Sequence, residues 1–173
     1  MKPLAAAASA ALLLAACAPV ISGSEPVFLP RALADAARVG TITLSTGWVR
    51  TEDDFGDTFV EEVREELSRC ATGSHALDLR LHVDEVRRAG RVQTVLTGEG
   101  MHSVAAVAEF VEPATGEVVG RFPLEVGTQA GGRVAGLLGD RQMMVSEEFG
   151  RALCLEAFGR NPRGPSITRA TRG

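Results

Sequence analysis

The sequence predicts an α+β fold: a two-layer sandwich in the order β-α-β-β-β-α, with two helices on one face of a four-stranded, mainly antiparallel sheet. Three observations carry this expectation. Residues 76–86 alternate strictly, with Leu77, Leu79, Leu81 and Val83 on one side and Asp78, Arg80, His82 and Asp84 on the other, as in a strand with one buried and one wet face. Phe55, Phe59, Val60, Val63 and Leu67 recur at helical spacing, as do Met144, Val145, Phe149, Ala152, Leu153 and Ala157, so each stretch has one apolar stripe. Between two apolar runs, Pro113 to Gly116 is turn chemistry. Laying both helical stripes on the same sheet face buries every stripe at once.

Taken in order, residues 39–45 are rich in β-branched side chains and place Ile42 and Leu44 on one face, which predicts the first strand. A helix of about 18 residues follows from Thr51 or Asp53, with acids near its start that suit the positive end of the helix dipole. The alternating run 76–86 is the second strand. Met101 to Val111 is the third, and Glu117 to Val126 returns from the turn as the fourth. The last helix runs from about Asp140, a fair N-cap, to Phe158, with Gly159 as its stop. Residues 33–38 have room for one further helical turn.

Ahead of this unit the chain reads as an export signal. Lys2 precedes 13 residues, Leu4 to Ala16, in which Ser9 is the single polar side chain. A bilayer-spanning helix needs about 20 apolar residues, and a charge, a short apolar run and small residues in sequence are the pattern of a cleaved secretory signal. Leu14, Ala15, Ala16 and Cys17 resemble the lipobox of bacterial lipoproteins, and the resemblance implies that Cys17 is acylated and becomes the first mature residue. In that family an aspartate after the cysteine favours the inner membrane. Ala18 stands there instead, which implies the periplasmic face of the outer membrane. The expected organisation is thus a signal peptide over 1–16, a lipidated cysteine and flexible tether over 17–38, a domain over 39–159 and a disordered tail over 160–173. Pro19, Pro26 and Pro30 suit the tether, and the tail carries four arginines and little that is apolar.

Composition narrows the function classes. Removing Lys2 leaves 17 arginines against 22 acids, a net charge of −5. Scattered arginines on a mildly acidic chain speak against a nucleic-acid partner, which wants a basic face. Besides Cys17, the cysteines are Cys70 and Cys154. In an oxidising compartment these form either a disulfide, closing a loop of roughly 85 residues, or two buried thiols.

Catalytic patterns do not emerge. His75, His82 and His102 make no metal-ligand spacing, though His82 and His102 are placed to face one another across paired strands. The serines lack a nucleophile elbow. The glycine-rich stretch 127–139 lacks the lysine of a phosphate loop. The acids Asp53, Asp54, Glu61, Glu62, Glu65 and Glu66 read as a solvated helix face. No cofactor is expected. Two loops exceed the bland reading: Val92, Val95 and Leu96 lie in one, and Val134, Leu137 and Leu138 in the other, within polar, glycine-containing surroundings. They either mark a partner contact or tuck under the sheet edge.

The element order resembles that of LptE-like, YajG-like and CsgG-like periplasmic lipoproteins, and the segments TGEVVGRF (115–122) and SEEFGRAL (146–153) resemble parts of uncharacterised proteobacterial lipoprotein families. The expected function is a lipid-anchored envelope protein, not an enzyme, that serves as an interaction or assembly module for an envelope protein partner. A carrier of a small amphiphile, using room left by Ala105, Ala106 and Ala108, and an envelope hydrolase are the alternatives.

Overall fold

The computed structural model describes residues 25–47, 54–87, 101–129 and 141–161. Cys17, Val92, Val95, Leu96, Val134, Leu137 and Leu138 lie outside these residues. The elements in chain order are α1 (Arg31–Ala36), β1 (Ala37–Ser45), α2 (Phe55–Ser68), β2 (His75–Arg87), β3 (Met101–Val111), β4 (Val118–Gln129) and α3 (Arg141–Phe158). The strands form one sheet in the order β1-β2-β3-β4. The β2–β3 and β3–β4 pairs are antiparallel and β1–β2 is parallel. The parallel pair follows from α2, since a helix long enough to recross the sheet returns the chain to the same starting end.

The alternation in β2 sorts the sheet into two faces. Across the inner face, Ile42, Leu79, Phe110 and Gly120 form one row, and Leu44, Leu81, Ala108 and Phe122 form the next. Leu79, Phe110, Ala108, Leu81 and Phe122 are all at most 2% exposed. The helices α2 and α3 cover this face. Phe55 stacks on Phe59 at 5.4 Å, and Phe59 meets Phe149 of α3 at 5.1 Å. At the other end of the core, Phe110 packs edge-on against Phe122 and Phe158.

The two helices run in the same direction, since Phe59 meets Phe149 and, further along both, Cys70 meets Cys154. They approach closely at Gly150, where an added Cβ would lie 2.7 Å from the Glu66 Cβ and 3.3 Å from the Val63 Cα. Gly150→Ala therefore forces the helices apart, and we expect it to lower stability by about 1–3 kcal/mol in thermal or denaturant unfolding.

That close approach corrects two sequence expectations. Glu66 does not join the solvated face: it is 1% exposed, seated against Gly150, and accepts a 2.7 Å hydrogen bond from Arg69 Nη1. A buried carboxylate needs such a partner. Met144 does not join the core stripe of α3 and is 44% exposed. The buried stripe is instead Val145, Phe149 and Leu153, widened by Ser146, Cys154, Ala157 and Phe158.

The packed chain also begins well before Val39. Val27 exchanges two 2.8 Å backbone hydrogen bonds with Arg121 at the free edge of β4. Leu29, 8% exposed, sits over Gly120, where a Cβ would come within 2.9 Å of its side chain. Pro26 and Pro30 bracket this bridge rather than marking a tether: they lack N–H groups, and the edge takes its donor from Val27 between them. Helix α1 then buries Ala34 and hands over to Ala37, the first residue of β1. At the C-terminus of α3, Gly159 takes φ +63° and donates to the Leu155 carbonyl, the left-handed cap that glycine makes at no steric cost.

Candidate functional site

With the helices on one face, the other face of the sheet is open to solvent, and its side chains follow from register. One row is Thr43, Arg80, Glu109 and Arg121, the next Ser45, His82, Val107 and Pro123, and the third Glu85, Ala105 and Glu125. Arg121 Nε donates to Glu109 Oε1 at 2.8 Å, and the Thr41 N–H donates to Asp78 Oδ1 at 2.9 Å. The half-buried Arg121–Glu109 ion pair contributes modestly to stability, and the face carries mixed charge.

A bulge shapes the middle of it. Val83 pairs with Ala106 and Glu85 with Ala105, so Asp84 is an extra residue on β2. Such an insertion bends the strand and re-aims its side chains. An open groove of about 430 Å³ results, lined by Asp84, Glu85, Ala105, Val107, Pro123 and Glu125 among others. Its floor is apolar and its rim acidic. Arg87, hydrogen-bonded to Glu85 at 2.7 and 3.0 Å, holds that carboxyl below its ordinary range.

Ser45, His82 and Asp84 lie in line beside this groove. Ser45 Oγ is 2.5 Å from His82 Nδ1, and His82 Nε2 is 3.6 Å from Asp84 Oδ1. A hydrolytic triad requires the carboxylate to hydrogen-bond the imidazole and fix its tautomer, and 3.6 Å is beyond a hydrogen bond. The serine contact is what register partners on neighbouring strands exchange, since Ser45 pairs with His82. His82 and His102 do not face one another: His82 pairs with Val107 and His102 with Thr128. His75 instead meets Glu112 at 2.7 Å. Among the described residues no group of three or more His, Cys, Asp or Glu could hold a metal ion.

On the helix layer, Asp57, Thr58, Glu61, Glu62 and Met143 line a second open groove of about 510 Å³. Partial burial raises the pKa of Glu62, and Glu147, Glu65, Glu66 and Glu61 add to this by repulsion. A carboxyl whose pKa is raised by folding favours the native state most below its unfolded value, near 4.5, and this contribution is lost as pH rises through the folded value. Glu62→Gln should accordingly gain a few tenths of a kcal/mol at neutral pH, with the gain vanishing in thermal melts below about pH 4.5.

The structure brings Cys70 and Cys154 together as a disulfide, Cα atoms 5.9 Å apart, between the C-terminal ends of α2 and α3. Both are fully buried. The three alanines proposed to leave one pocket are split: Ala106 and Ala108 face the core beside Leu81 and Phe122, and Ala105 lines the open groove. The strand ends that lead into the two apolar loops, Arg87, Met101 and Gln129, lie at one end of the sheet. The bulge and the burial of Glu66 escaped sequence reasoning. The signal for the first is Asp84 and Glu85 side by side before Val86, a departure from the strict alternation read over 76–86.

No helix among the described residues is long and apolar enough to cross a membrane. No family model and no curated protein matches the chain. Among the solved structures similar to it are the following three. A candidate lipoprotein from Caulobacter crescentus CB15 is 16% identical, with 68% of this chain and 85% of that one covered and a TM-score of 0.47. The PelC dodecamer of Paraburkholderia phytofirmans is 18% identical, with coverage of 77% and 96% and a TM-score of 0.43. A protein of the DUF330 family from Xanthomonas campestris is 11% identical, with coverage of 75% and 91% and a TM-score of 0.42.

Proposed function

We propose that this chain is a lipid-anchored envelope protein on the periplasmic face of the outer membrane, and that it acts as a non-enzymatic interaction module. The single observation that carries the docking role is the open face of the sheet, where Ala105, Val107 and Pro123 form an apolar floor inside a rim of Asp84, Glu85 and Glu125. An apolar centre with a polar rim is the anatomy of a protein contact. The export signal and Cys17 support the location. Nothing in the arrangement of Ser45, His82 and Asp84 supplies an activated nucleophile, so the hydrolase reading gains no ground.

A photo-crosslinking amino acid at Pro123, compared with one at Glu62 on the helix layer, tests the docking face in cells. Adducts from Pro123 are expected, and adducts arising only from Glu62 would overturn the assignment. For the anchor, Cys17→Ser is expected to abolish acylation, seen as the missing lipid mass on the purified protein. An unchanged mass would sink that part of the reading.

A further inference from the structure

At the end of the domain where the chain comes in, two large apolar side chains are held outward. Val27 is 43% exposed and Phe28 66%. Neither is free to fold away, because Val27 is bonded at both backbone groups to Arg121 and the Phe28 ring lies edge-on to Phe122 at 6.3 Å. Fixed, exposed apolar groups of this size point to something that covers them. Arg31 follows, with its side chain 94% exposed and 4.0 Å from Asp35.

The C-terminus leaves from the same end. Arg160 donates to the Cys70 carbonyl at 2.6 Å and lies 3.5 Å from Asp35 of α1. From Gly159 to Gly173 the chain has four arginines and no acid; Asp35 is the acid that Arg160 meets, and Glu112 and Glu117 stand in the β3–β4 turn at this end of the sheet. Val27 is ten steps along the chain from Cys17, a span of at most about 35 Å. Of the whole domain, this end is the one the anchor brings to the membrane first.

We propose that Val27 and Phe28, flanked by Arg31 and Arg160, form a membrane-contact patch that seats the domain on an anionic phospholipid surface; the inference rests on Cys17 as the lipid attachment point. The apolar pair enters the boundary between headgroups and acyl chains, and the guanidinium groups meet lipid phosphates. Two weak signals of this kind add to an acyl anchor and fix the orientation that a bare tether leaves open. The far end of the sheet, where Ser45, Arg87, Met101 and Gln129 lie, then points away from the bilayer.

The test uses the full lipidated protein in vesicles of phosphatidylethanolamine and phosphatidylglycerol. Phe28→Cys, and Glu125→Cys as a control further along β4, are each labelled with an environment-sensitive fluorophore. Both side chains are exposed, so the fold is retained. The expected result is a blue shift and quenching by spin-labelled lipid at position 28, neither at position 125, and weaker quenching when phosphatidylcholine replaces both lipids. Quenching that is equal in phosphatidylcholine overturns the anionic preference. A blue shift without quenching means that protein covers the patch and overturns the proposal. So does the absence of any change on vesicles that carry the acylated protein, which leaves the anchor reading standing. A protein whose mass shows no acyl group on Cys17 overturns both, since two apolar side chains alone bind a bilayer too weakly.

Discussion

Replacing Cys70 and Cys154 together with alanine is expected to lower the free energy of unfolding by about 4 kcal/mol in denaturant titrations. The two cysteines are 84 residues apart in sequence, and the crosslink withholds from the unfolded chain most of the freedom of a loop that contains the whole of β2, β3 and β4. Domains of this size are commonly stable by about 5–15 kcal/mol, so the loss is a large share of the total. Wild-type protein held in reductant should match the double variant, and a midpoint unmoved by reductant would show that the bridge contributes nothing. The bridge also stands where the helices need it. Gly150 draws α2 and α3 together one turn earlier, and the disulfide holds their last turns against fraying.

Phe59→Ala should cost about 3–5 kcal/mol, the range for a fully buried aromatic ring. Phe59 is 0% exposed and lies between Phe55 on its own helix and Phe149 on the other, so truncation removes contacts on both sides. Neither neighbour is free to fill the space, because each is itself fully buried. Phe59→Leu, which keeps most of the volume, should cost under about 2 kcal/mol. The hole left by Phe59→Ala lies about 16 Å from Cys70 along the helix axis, far enough for the two effects to add. Combined, they exceed the stability of many single domains, and the combined variant should be unfolded in circular dichroism at room temperature.

Periodicity made most of this fold legible. The alternation of β2 and the stripe of α2 are written in side chains whose burial follows directly from spacing, and Phe55, Phe59, Val63 and Leu67 fell where the pattern placed them. The pattern failed where a residue answers to a neighbour distant in sequence. Glu66 looks like surface until Gly150, far along the chain, makes room for it. Met144 loses its place in the core because the apolar positions on α3 are numerous enough to define more than one stripe, and packing against α2 chooses among them. Val27 to Leu29 look like linker because prolines flank them, and the backbone bonds that fix them belong to β4. The open face was foreseeable from β2 alone, but its groove required the register of three strands and the extra residue Asp84.

The Cys70–Cys154 bridge also decides how this protein would come apart under proteolysis. A single cut between β2 and β3 separates the strands β1 and β2 from the hairpin of β3 and β4 in sequence, yet the two pieces share the disulfide between α2 and α3. The nicked molecule therefore runs as one species on a gel without reductant and as two with it. The C-terminal piece stays tied to the piece that carries β1, α2 and β2, and a cut at the far end of the sheet releases nothing until the bridge is reduced.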